Sequence, residues 1–111
     1  MAIFQLAVAP GAKVDSRFVE SVELTVMNES RRTFDILVQV SHNGAPFFES
    51  LQELPSGSGA YIPAVPTNYT PFNLLIVTNY FTYDTTTVTL IVRSKGLLLA
   101  IFTDKDFDRM P

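Results

Sequence analysis

Phe72-Asn73-Leu74-Leu75-Ile76-Val77, Val88-Thr89-Leu90-Ile91-Val92 and Leu97-Leu98-Leu99-Ala100-Ile101-Phe102 are three short apolar runs, each bounded by turn-forming residues. Runs of this length, rich in Val, Ile and Phe, read as β-strands buried on both faces rather than as helices, which need more residues to close their hydrogen bonds. Double burial raises a question of cover. One face of a sheet packs on the domain's own core, and an apolar second face needs another element or another molecule.

The flanking segments carry the complementary pattern. Residues 2–8 alternate, with Phe4, Leu6 and Val8 on one side and Ile3, Gln5 and Ala7 on the other. Phe18, Val22, Leu24 and Val26 alternate with polar residues up to Met27. Phe34, Ile36, Val38 and Val40 do so again, and these two strands are expected to pair across the polar 28–32 connection. Asn43-Gly44 supplies two residues that accept positive φ, so a tight hairpin is expected, with a return strand from Pro46 to Leu54. Tyr61-Ile62 is a short strand bracketed by Pro63 and Pro66, which lack the N–H a ladder needs and belong at an edge. Ser94-Lys95-Gly96 closes the last hairpin, and the tail from Asp104 reads as a solvated acidic segment. About eight strands with turn signals between them predict an all-β fold, a single antiparallel β-sandwich of immunoglobulin-like or jelly-roll topology with almost no helix. Residues 1–12 read as an N-terminal connector strand, free to be exchanged between subunits, and 13–111 as the sandwich domain.

Composition narrows the function. The chain has 111 residues, 47% of them hydrophobic and only 17% charged, which leaves little charge to cover the surface of a domain this size. Its net charge of -3 and only 8 scattered Lys and Arg argue against nucleic acid, whose phosphates demand a basic surface. With no cysteine, disulfide and thiolate chemistry are excluded. No apolar run approaches the roughly 18 residues of a membrane-spanning helix. Ala7-Val8-Ala9 resembles a signal-peptide cleavage site, but no positive charge precedes it, and the segment reads as a strand.

Candidate chemistry is sparse. His42, the sole histidine, sits at a hairpin mouth, a poor place to align a catalytic base. Asp104-x-Asp106-x-Asp108 begins like a calcium loop but lacks the glycine and the distal glutamate such a loop needs. Asn28-Glu29-Ser30 and Asn68-Tyr69-Thr70 match the N-glycosylation pattern. No phosphate-binding glycine loop and no metalloprotease motif occurs. The chain therefore reads as non-enzymatic, without cofactor or metal. Tyr61, Tyr69, Tyr80, Phe81 and Tyr83 lie in or near predicted loops, where aromatics either cap the core or bind a sugar or protein. The four tyrosines are the candidate ligand-loop residues.

The stronger expectation comes from surplus apolar residues. If Leu74, Ile76, Val88, Leu90, Val92, Leu98, Ala100 and Phe102 fill the core, then Leu75, Val77, Ile91, Leu97, Leu99 and Ile101 face away from it. Burying those six against a partner contributes about 9–18 kcal/mol, against an association cost of about 4–15 kcal/mol. Together with Ile3, Phe4, Leu6 and Val8 of the leading strand they form the expected subunit interface, and the expected partner is another copy of the chain. The order of elements in 25–38, Leu54-Pro55-Ser56-Gly57-Ser58-Gly59, 88–92 and 98–102 resembles small β-sandwich proteins of the bacterial endospore surface, exosporium proteins and appendage-fibre subunits. That resemblance implies a structural building block whose N-terminal segment links subunits, assembled at a cell or spore surface without an export signal. The lack of cysteine departs from the disulfide-linked fibre subunits. The alternative function is an adhesion or carbohydrate-binding or protein-binding module using the tyrosine loops.

Overall fold

A computed structural model describes residues 1–80 and 83–110. Its strands are β1 (Ala2–Val8), β2 (Ser21–Asn28), β3 (Phe34–His42), β4 (Ala45–Leu54), β5 (Gly59–Pro66), β6 (Phe72–Thr78), β7 (Thr86–Ser94), β8 (Leu97–Thr103) and β9 (Asp108–Met110). Three single-turn 3-10 segments are the helical content among the described residues. The strands form two antiparallel sheets packed face to face, one of five strands in the order β4-β3-β6-β1-β9 and one of four in the order β5-β2-β7-β8. The fold is a β-sandwich, as the sequence predicts.

Alternation explains the core. Phe4, Ile36, Val38, Leu74 and Ile76 from the larger sheet meet Leu24, Val26, Val88 and Leu90 from the smaller, all at most 2% exposed. Both predicted hairpins are present, with positive φ at Asn43 and Gly44 and at Lys95 and Gly96, the backbone that matches the right-handed twist of adjoining strands. β5 is an edge strand, as its prolines require.

Several expectations are corrected. β2 and β3 do not pair; they lie in opposite sheets, because the 29–33 connection crosses the sandwich instead of turning back. The buried Asn28 side chain directs this crossing. Its amide donates to the carbonyls of Arg32 (2.7 Å) and Leu54 (2.8 Å), and its oxygen accepts from the Ser30 backbone N–H (2.9 Å). Phe18 is exposed in a 3-10 turn before β2, and Val19 takes the inward place. The tail is not merely solvated, since Phe107 is buried and β9 pairs with β1.

The connector predicted for 1–12 is built into the sandwich of its own chain. β1 pairs along its whole length with β6 and, on its other side, with β9. Phe4, Leu6 and Val8 are core residues and not subunit contacts, because their strand lies inside the sheet and turns them inward.

Candidate functional site

The three apolar runs do not share a sheet. β6 belongs to the five-stranded sheet, β7 and β8 to the four-stranded one, so the surplus side chains emerge on opposite sides of the sandwich. Double burial is corrected too: Leu75, Val77 and Ile91 are half-buried, while β8 is largely exposed.

On the four-stranded side, Leu97, Leu98, Leu99 and Ile101 are 69%, 52%, 50% and 56% exposed. Leu98 was expected in the core. A β-bulge pairs Val92 with Ala100 but Arg93 with Leu98, leaving Leu99 as the extra residue, and the slip turns Leu98 to the outer face beside Ile101 and Ile91. Phe102 keeps its inward place against the core. Beneath the edge, a crevice of about 110 Å³ is lined by Val14, Phe18, Val92, Leu99 and Phe102.

β8 is also an edge strand, and the other three edges are guarded against pairing. β5 carries Pro63 and Pro66, β4 carries Pro46, Glu49 and Glu53, and β9 is three residues long with Asp108 and Arg109. β8 has seven residues with neither charge nor proline, the profile of a strand that associates. Charges of both signs border it: the acids Asp15, Glu20, Asp104 and Asp106, and the lysines Lys95 in the turn before, Lys105 just after, and Lys13 on the neighbouring loop, its Nζ donating to the Asp106 carbonyl at 3.4 Å. These are the chain's three lysines. Among the described residues, none forms an ion pair.

On the five-stranded side, cross-strand register lines up Leu51, Leu37, Val77, Ile3 and Met110, one from each strand, in an apolar ladder across the sheet. Leu75 stands in the next row, between Gln39 and Gln5. The charged residues on this face are Asp35, Glu49, Glu53 and Asp108, all acidic. Leu37, Leu51, Leu98 and Met110 were missed from sequence. Their signal was strand register, which alternation alone does not supply.

The four tyrosines do not converge. Tyr61 points outward from β5, opposite Thr25. Tyr69 lies before β6, its hydroxyl 3.1 Å from Ser94 Oγ, while Tyr80 lies beyond the far end of β6, under the Arg32 guanidinium at 5.6 Å. Phe81 falls outside the described residues. Tyr83 is structural. Its ring packs edge-on against Phe4 at 5.2 Å, and its hydroxyl accepts from the Ile3 N–H at 2.9 Å and lies against the Met110 carbonyl. Tyr80 and Tyr83, with Glu29, Arg31, Arg32 and Arg109, line an open groove of about 590 Å³.

His42 donates from Nδ1 to the Pro71 carbonyl at 2.6 Å, joining two loops. The three tail carboxylates are used separately. Asp104 accepts from the Val88 N–H, Asp106 caps the turn at Thr103, and Asp108 is on β9. No group of three or more His, Asp or Glu among the described residues is placed to hold a metal ion. Asn28 is fully buried, so a glycan there is incompatible with the fold, while Asn68 is exposed.

No protein-family model and no curated protein matches this chain. Among solved structures, the chain is similar to the crystal structure of Thermotoga maritima 1070, with a TM-score of 0.54 and 15% identity over 92% of this chain and 88% of that one. At that identity the likeness bears on the fold alone, and it extends over nearly the whole sandwich.

Proposed function

We propose that this chain is a structural subunit that assembles with copies of itself into a fibre or layer through its apolar outer surfaces. The observation that carries the reading is β8, an uncharged, proline-free edge strand with four large aliphatic side chains in water. Such a strip marks an interaction surface or an aggregation hazard. The guarding of the other three edges favours the first, since a chain that blunts those edges has left this one open selectively. The N-terminal strand takes part through Ile3, its contribution to the opposite ladder. The resemblance to endospore-surface sandwiches supports a place in a cell-surface or spore-surface layer.

Light scattering over a concentration series, with negative-stain microscopy of the same samples, tests the reading. Discrete oligomers or ordered fibres above a threshold concentration are expected. Dispersed single domains at every concentration would overturn it.

A second reading, an adhesion or ligand-binding module, draws on the groove where Arg32 stacks on Tyr80 and Arg109 on Tyr83 at 5.3 Å. It is distinguished by saturable binding of an anionic glycan or peptide that Arg32→Ala abolishes.

A further inference from the structure

We infer that β8 pairs antiparallel with β8 of a second copy about a two-fold axis, joining two four-stranded sheets into one continuous sheet. This rests on the self-assembly reading and specifies one of its contacts.

Backbone direction decides what β8 offers. At the two ends of the ladder between β2 and β7, the Glu29 N–H donates to the Thr85 carbonyl at 2.8 Å and the Glu20 N–H to the Arg93 carbonyl at 2.9 Å, which sets the phase of that ladder. In an antiparallel sheet, a residue that turns its N–H and C=O to one neighbouring strand turns neither to the other. Thr89, Ile91 and Arg93 therefore spend theirs on β2. Thr103, Ile101 and Leu98, which stand opposite them on β8, turn theirs to the open edge. Asp106 takes the Thr103 N–H at 2.9 Å. The N–H and C=O of Leu98 and Ile101 are left for a partner strand.

Spacing selects that partner. A regular strand offers edge groups at every second residue, but the bulge at Leu99 sets Leu98 and Ile101 three apart. Such an edge is mismatched to a regular strand and matched to one with the same interruption running the other way. Among the described residues, the other edges with an extra residue are β4 and β5, and each has a proline beside it, Pro46 and Pro63, where an N–H is needed. The β8 strand of a second copy meets the requirement. With the two-fold axis between Leu99 and Ala100, Leu98 of each copy stands opposite Ile101 of the other, and each such pair exchanges two hydrogen bonds. Leu98 and Ile101 share the outer face, so their side chains become cross-strand neighbours, with Ile91 alongside. Charge does not oppose the pairing, because each end of β8 holds both signs and the reversal brings the Lys95 turn of one copy beside the Asp104–Asp106 turn of the other. The contact is isologous and closes as a dimer. Growth beyond the dimer falls to the ladder on the opposite sheet, which stays open in both copies.

Full-length variants test the pairing. Ile101→Pro removes an edge donor without removing a bond between β7 and β8, and circular dichroism checks that it is folded. The two-fold axis makes that loss count twice, so the midpoint concentration of association in light scattering should rise at least about tenfold. Ile101→Val, which keeps the N–H, should leave it in place. Leu98→Cys with Ile101→Cys, in a chain that has no cysteine of its own, should form a covalent dimer under oxidised glutathione. Peptide mapping should link position 98 of one copy to position 101 of the other, since residues paired in this way have Cα atoms about 5.5 Å apart, within reach of a disulfide. Either cysteine substitution alone should stay unlinked. Unchanged association of folded Ile101→Pro, an equal effect of Ile101→Val, no cross-link in the double variant, or cross-links in the single ones would each overturn the inference while leaving self-assembly standing. Should Ile101→Pro fail to fold, the cross-linked position decides. A wild-type chain that stays monomeric at every concentration would remove both.

Discussion

Asn28 joins three parts of this fold through one buried side chain. It ends β2 with its side chain fully buried, and its amide satisfies two carbonyls that belong to different parts of the chain, Arg32 in the crossing loop and Leu54 at the end of β4. A buried carbonyl left without a donor costs about 1–3 kcal/mol. Asn28→Ala is therefore expected to lower unfolding free energy by about 1–3 kcal/mol through its buried bond to the Leu54 carbonyl, measured by urea denaturation, while the Arg32 carbonyl keeps the Ser30 hydroxyl as a donor at 2.9 Å. Asp15 shows a different kind of local control. The Arg17 side chain donates to it from Nε (3.0 Å) and Nη2 (2.6 Å), and the Gly11 and Arg17 backbone N–H groups add to this. The Arg17 hydrogen bonds hold the Asp15 carboxyl well below the usual carboxylate range, with partial burial pushing the other way, and the same pair raises Arg17. A depressed acid stabilises the fold above its unfolded pKa of about 3.9, and that stability is lost as pH falls towards the folded value. The stability difference between wild type and Asp15→Asn is thus expected to be constant from pH 7 to 5 and to shrink below about pH 4, read from melting temperatures. Arg17 was not singled out in the sequence, because the pairing depends on a tight turn that no periodicity announces.

At the scale of elements, β1 is the strand whose role changes most between sequence and structure. Its alternation and length are legible in residues 2–8, but an amphipathic strand is equally suited to its own sheet and to a neighbour's. Its place between β6 and β9 makes it part of the core. Phe4 is fully buried and meets Tyr83, so Phe4→Ala should cost about 3–5 kcal/mol, measured from the urea midpoint. Deletion of Met1 to Pro10 should abolish the folded β-sheet spectrum by circular dichroism, where a detachable connector would leave a folded domain. β8 is the converse case. Its hydrophobicity suggested a central strand, yet it lies at an edge, and the bulge at Leu99 reverses the facing of Leu98.

For the molecule as a whole, the division of β6, β7 and β8 between two sheets decides where its apolar outer surfaces lie. Had those runs formed one sheet, their surplus side chains would have made a single apolar face suited to a closed dimer. Split between sheets, they give two apolar surfaces on opposite sides of the sandwich. A closed dimer is the expectation of the first arrangement and open-ended assembly that of the second, and light scattering over a concentration series separates the two.

What the sequence determined alone was local. Strand identity follows from a two-residue period, hairpins from residues such as Asn43-Gly44 that accept positive φ, and the edge position of β5 from prolines that lack a donor. The surplus of apolar side chains was countable without coordinates. Sheet membership was decided only in three dimensions, because alternation serves either layer of a sandwich equally well, and the buried amide of Asn28 carries the chain from one layer to the other. The ladder of Leu51, Leu37, Val77, Ile3 and Met110 is likewise a product of register between strands distant in sequence, and register is a property of the assembled sheet.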